Sequence, residues 1–131
     1  MKSAILDTHT LVWFLQKDPR LPKKALKLIL RSDVLKKIPF IVICEIHYLH
    51  ARGRFPISIQ DVTALLKETD DFEIASHTEE QMPHLFSDLE IHDALIVATA
   101  LAYQEGDHDV VILSRDDQIK KHSPVPVVWN D

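Results

Sequence analysis

Asp7, Glu45, Asp93 and Asp116 stand where the surrounding pattern calls for apolar side chains. Asp7 closes the run Ala4-Ile5-Leu6, and Glu45 lies in the stripe of Ile41, Val42 and Leu49. Asp93 opens the stripe Ile96, Val97, Ala100 and Leu101, and Asp116 follows Val110-Val111-Ile112-Leu113. Burial disfavours the charged form of a carboxylate. Carboxylates that converge are worse off, since two unit charges about 4 Å apart repel by about 4 kcal/mol at an effective dielectric of about 20. A chain keeps such a group when a cation sits among its members, and an all-oxygen donor set suits Mg²⁺ or Mn²⁺. The reaction class that uses an acidic cluster and no other visible nucleophile is hydrolysis of a phosphodiester by water, leaving a 5′-phosphate and a 3′-hydroxyl.

Each acid also has a plainer reading. Asp7 suits the N-cap of the helix after it. Asp93, in a first helical turn, favours the helix dipole. Asp116 and its neighbour Asp117 both suit the start of a last helix. Glu45, in mid-stripe, has the weakest alternative, because a carboxylate there is seldom idle. Ser114 has no base placed beside it and reads as a hydrogen-bonding residue rather than a nucleophile. The eight histidines invite a zinc site. His9 and His47 each follow an acid by two positions, which on a helix points them away from it, and no third histidine completes a set with His47 and His50. His92, beside Asp93, reads as a rim residue. Trp13, Phe14 and Tyr48 read as packing or contact residues.

The elements that must position the acids follow from periodicity. Residues 2–6 and 110–113 are continuous apolar strands, 34–38 and 72–75 shorter ones, and 125–129 a last strand. Helical spacing covers 9–16, a segment from Pro22 to Arg31, 40–52, a stretch after Ser58, 91–105 and 116–121. Thr78 with Gln81 three residues on resembles a capping box and predicts a further helix to about Leu89. Strands alternating with helices predict a parallel sheet covered by helices, with the ligand site beyond the carboxyl ends of the strands. Asp7 and Asp116 fall at such ends.

Composition narrows the class. The 131 residues suit one domain, 1–131, with one core. No apolar stretch reaches the roughly 18 residues of a membrane span, and the early Asp7 rules out a signal peptide, so a cytoplasmic location is expected. Cys44 is the only cysteine, which leaves no internal disulfide. Gly53 and Gly106, the only glycines, are too few for a phosphate-binding glycine loop and read as helix stops. The net charge is −5, yet eight of the fifteen Lys and Arg lie between Lys17 and Lys37, so one end of the molecule is expected to meet phosphates unless the run is simply a solvated face.

Four segments resemble the motifs of PIN-domain ribonucleases: Leu6-Asp7-Thr8-His9-Thr10-Leu11-Val12-Trp13; Glu45-Ile46-His47-Tyr48-Leu49; Glu90 to Ala100; and Leu113-Ser114-Arg115-Asp116-Asp117. They run in order over nearly the whole chain, and the subgroup they most resemble is VapC, the toxin of VapBC toxin–antitoxin pairs. The resemblance implies a three-layer α/β/α fold around a parallel sheet of four or five strands. It implies a Mg²⁺- or Mn²⁺-dependent endoribonuclease with Asp7, Glu45, Asp93 and Asp116 around the metal, and Thr8 and Ser114 in support. Its partners would be an RNA substrate, a small antitoxin and a second copy of the chain. Ala94 departs from the pattern where many relatives carry Arg, and Pro39 and Val42 depart where Ser or Thr is common. Two other functions fit single features. A phosphatase or phospho-acceptor would use Asp7 as nucleophile, but His9 occupies the position of its second acid; a non-catalytic module would keep the site as a vestige.

Overall fold

The first apolar run forms β1 (Lys2–Leu6), with Ala4, Ile5 and Leu6 fully buried. The computed structural model describes residues 2–106 and 109–130. After β1 come α1 (Thr8–Gln16), α2 (Lys23–Leu30), β2 (Val34–Pro39), α3 (Phe40–Ala51), α4 (Ile59–Leu66) and β3 (Phe72–Ala75). A 3₁₀ turn (Glu79–His84), α5 (Ile91–Gln104), β4 (Asp109–Leu113), α6 (Asp117–His122) and β5 (Val127–Val128) complete the order. The five strands form one sheet in the order β3-β2-β1-β4-β5, parallel throughout.

That order explains the layers. The connections β1 to β2 and β2 to β3 cross the sheet in one direction, and β3 to β4 and β4 to β5 in the other. Right-handed crossovers therefore set α1 to α4 on one face and α5 and α6 on the opposite face. β1 and β4, apolar on both sides, lie between the layers in register, Ile5 opposite Ile112 and Leu6 opposite Leu113. The chain reverses direction between these two strands, and in open parallel sheets the ligand crevice opens at that point, beyond the carboxyl ends.

Three local expectations change. The segment from Thr78 does not form a helix to Leu89: it makes only the 3₁₀ turn, with Pro83 inside it and no side-chain cap from Thr78. Gln81 is instead buried, its amide donating to the Ser76 carbonyl (3.2 Å) and its oxygen meeting His77 Nδ1 (2.9 Å). The last strand shrinks to Val127–Val128, bounded by Pro124 and Pro126 on its N-terminal side. The cationic run is not one open surface. Lys36 and Lys37 are buried in β2, paired with Asp71 and Glu73 of the neighbouring strand segment, while Arg20 and Arg31 fork onto Asp18 and Asp33.

The entry to α3 also has an unforeseen solution. Pro39 provides no side-chain cap, but His77 Nε2 accepts the Ile41 N–H at 2.9 Å. A distant histidine thus does what a Ser or Thr at the helix start does elsewhere. At the far end of α3 Gly53 takes the left-handed conformation (φ 73°), as its place after the helix predicts.

Candidate active site

The loop after β1 supplies Asp7, whose Oδ1 caps α1 by accepting the Thr10 N–H at 3.0 Å. The Thr10 hydroxyl lies 2.6 Å from the same oxygen and 2.8 Å from the Leu113 carbonyl, which ties the ends of β1 and β4 together. The loop after β4 supplies Asp116, whose Oδ1 caps α6 by accepting the Gln118 and Ile119 N–H groups (2.8 and 3.0 Å). Ser114 Oγ accepts the Asp116 N–H at 3.0 Å. Glu45, on the second turn of α3, accepts the Thr8 hydroxyl at Oε1 (2.8 Å). The capping readings of Asp7 and Asp116 are therefore correct, but each cap uses only Oδ1, and the protein hydrogen bond to Glu45 uses only Oε1.

All four acids line one cavity of about 310 Å³ at the crevice, together with Thr8, His9, Glu90, His92, Ile96 and Arg115. Their mutual repulsion is visible at Asp93. Its carboxyl is pushed up from 3.8 to about 6, first by burial and then by the charges of Asp116, Glu90, Asp7 and Glu45. No three of these acids, nor any other trio of His, Cys, Asp or Glu among the described residues, stand close enough to form a ready-made metal site. The donor set fits a hard divalent cation in kind, because each of the four carboxylates keeps at least one oxygen free of protein hydrogen bonds and the pocket lacks a balancing set of cations. It fits in number if the ion takes one or two carboxylates at a time and keeps water or phosphate oxygens for the rest, as Mg²⁺ commonly does.

Sequence reasoning missed three lining residues. Glu90 precedes Asp93 by three positions at the start of α5, a spacing that puts both on one helix face and could have revealed it. His9 was expected to point away from Asp7, yet it lines the cavity, its ring edge-on to Trp13 at 5.7 Å. Among the described residues Arg115 is the only Lys or Arg in the lining. His92 is at the rim as expected, 3.7 Å from Glu90, and Ala94 is buried. A larger cavity of about 690 Å³ lies elsewhere, lined largely by apolar side chains of α1, α2 and α4 with Phe72. It holds none of the four acids, so size does not mark the chemistry here.

A PIN-domain family model matches residues 4–123. The chain belongs to the PIN-domain family. Among solved structures, this PIN domain is similar to a chain of VapBC2 from Rickettsia felis bound to a promoter DNA fragment (TM-score 0.69, 17% identity, 98% of this chain and 99% of that one). It is similar to a chain of a toxin–antitoxin complex from Klebsiella pneumoniae (TM-score 0.63, 17% identity, 98% and 99%). A third is VapBC-1 from nontypeable Haemophilus influenzae (TM-score 0.68, 14% identity, 97% of each chain). No curated protein matches the sequence. At these identities the structural likeness speaks for the fold, a parallel five-stranded sheet between helical layers.

Proposed function

We propose that this PIN domain is a metal-dependent endoribonuclease acting as the toxin of a toxin–antitoxin pair. One observation carries the reading: acids from four separate segments, Asp7, Glu45, Asp93 and Asp116, line one crevice where the sheet reverses direction. From among these four side chains, one or two at a time would hold Mg²⁺ or Mn²⁺, with Thr8 orienting Glu45 and Ser114 fixing the turn that presents Asp116. When bound, the cation supplies positive charge at the scissile phosphate and a more acidic water. The remaining work belongs to the chain. The caps on Asp7 and Asp116 hold one oxygen of each and leave the other free of protein hydrogen bonds. Water adds to phosphorus, the bond to the 3′-oxygen breaks, and that oxygen takes the proton, giving a 5′-phosphate and a 3′-hydroxyl.

One of the similar structures is a toxin–antitoxin complex, which supports an antitoxin partner. The apolar cavity rimmed by the exposed Leu30 and Leu65 offers that partner a surface. A homodimer working in the cytoplasm as a single domain, 1–131, completes the proposal. No helix among the described residues is long and apolar enough to cross a membrane.

A non-catalytic PIN module is the competing reading, and the lack of a ready-made ligand trio favours it. The two separate by experiment. The purified chain is incubated with RNA and Mn²⁺ or Mg²⁺, and the product ends are mapped. Cleavage lost on chelation and in a folded Asp7→Asn variant supports the nuclease; an Asp7→Asn variant that cuts as well as the parent removes it.

A further inference from the structure

Among the described residues the cavity gathers five carboxylates, Asp7, Glu45, Glu90, Asp93 and Asp116, and one permanent cation, Arg115. An arginine next in sequence to Asp116 and facing that much negative charge would be expected to fold onto a carboxylate. It does not. Among the described residues Arg115 takes part in no ion pair. Its guanidinium lies over the Trp13 ring, 4.9 Å from the centroid, and the side chain is exposed. Arg20, the other guanidinium on Trp13 (4.6 Å), is by contrast committed to Asp18 through a two-pronged contact. Trp13 itself is held: it is 4% exposed and packs on Trp129 (5.9 Å) and His9 (5.7 Å). The ring is a fixed shelf that keeps one guanidinium at the mouth of the pocket with its donors unspent.

We propose that Arg115 is the side chain that receives the RNA backbone, binding a phosphate next to the scissile one, and that Trp13 positions it. The assignment rests on the nuclease reading above. A polyanion approaching this cavity meets repulsion, and a planar fork of N–H donors matches phosphate oxygens two at a time. A side chain already stacked on a rigid ring loses little further freedom when it binds.

The test uses a labelled single-stranded RNA oligonucleotide and the full chain carrying Asp7→Asn, so that binding is read without cleavage. Arg115→Met keeps an unbranched apolar cover on Trp13 and removes the fork; its melting temperature is measured alongside. The expected result is affinity about tenfold weaker, a fold as stable as the parent's, and a salt dependence of log Kd shallower by about 0.7, the loss of one phosphate contact on a single strand. Arg115→Lys restores the salt slope and part of the affinity. In the cleaving chain Arg115→Met raises KM and leaves kcat within a few-fold. Unchanged affinity and slope in Arg115→Met overturn the assignment, as does a fall in kcat with KM intact. A wild-type chain that binds RNA through Arg115 yet never cuts it refutes the nuclease reading alone, and one that cuts RNA while Arg115→Met binds normally refutes this assignment alone.

Discussion

The Thr8 hydroxyl donates to Glu45 Oε1 across 2.8 Å, joining residues 37 apart in sequence. The bond fixes the acid of α3 to the first turn of the helix that Asp7 caps, so two arms of the site share one anchor. Thr8 is buried and Glu45 is partly so. Replacing the hydroxyl by a methyl group leaves Glu45 free to swing out of the crevice. Thr8→Val is expected to lower kcat about tenfold and to cost about 1.5 kcal/mol of stability, the low end for a hydrogen bond to a charged group. Thr8→Ser should restore most of both. Parallel kinetics and melting curves check it, and equal rates for Val and Ser at this position would contradict it.

His77 is expected to matter to Glu45 from a distance. Its Nε2 accepts the Ile41 N–H, so in the neutral ring Nδ1 carries the proton toward Gln81 Oε1. His77→Ala strands one amide at the start of α3, a loss of about 1–2 kcal/mol by analogy with a lost helix cap. Amide hydrogen exchange at Ile41 to Cys44 should quicken while the core of β4 stays protected. Unaltered exchange there would show that another group caps the helix.

What could be read in the sequence divides along physical lines. β1 and β4 were legible because Ala4-Ile5-Leu6 and Val110 to Leu113 are apolar on both faces, a pattern that only a strand between layers needs. Asp7 and Asp116 were legible because an acid that ends such a run stands at the crevice by construction. The paired Lys36 and Lys37 were not, since local sequence reads a lysine pair as solvated, and their partners, Asp71 just before β3 and Glu73 within it, come 35 residues on or more. The 3₁₀ turn at Glu79–His84 was missed because Gln81, which fits a capping box locally, is claimed by His77 and the Ser76 carbonyl instead. His9 and Arg115 joined the cavity through side-chain directions that no spacing rule for the acids alone reveals, whereas Glu90, three positions before Asp93, was within reach of such a rule.

Lys36 makes the second of these points testable. Its side chain is fully buried in β2, donating to the Arg31 carbonyl (2.6 Å) and to Asp71 Oδ2, and lies over the Phe72 ring. The ammonium beside Asp71 holds that carboxyl below its usual value. Removing one member of a buried pair leaves the other uncompensated, but Asp71 is 19% exposed and water meets part of the loss. Lys36→Ala is expected to cost about 2–4 kcal/mol, cavity included. Lys36→Met should cost less, and combining it with Asp71→Asn should recover most of the remainder. A double-mutant cycle by denaturant unfolding measures the coupling, and strict additivity would show that the pair contributes nothing.

The Asp93 carboxyl sets a pH dependence with a definite sign. Its value in the folded chain, about 6, lies above the ordinary 3.8, chiefly from burial and then from Asp116, Glu90, Asp7 and Glu45. Between those two values the folded chain holds a proton that the unfolded chain has lost. Stability therefore falls as pH rises from 3.8 to about 6, and the whole penalty persists above that. One pKa unit corresponds to about 1.4 kcal/mol, and partial solvent screening brings the penalty to about 1–2 kcal/mol. Asp93→Asn cannot ionise. In the presence of a chelator it should melt about 3–8 °C higher than the parent at pH 7, with the gap closing toward pH 4. Added Mg²⁺ should raise the parent's melting temperature at pH 7, where Asp93 is ionised, and much less near pH 5, where it holds its proton. Melting curves across that range check both arms, and an Asn variant that melts below the parent at pH 7 without metal would mean that the Asp93 charge is stabilised by a group not facing it here.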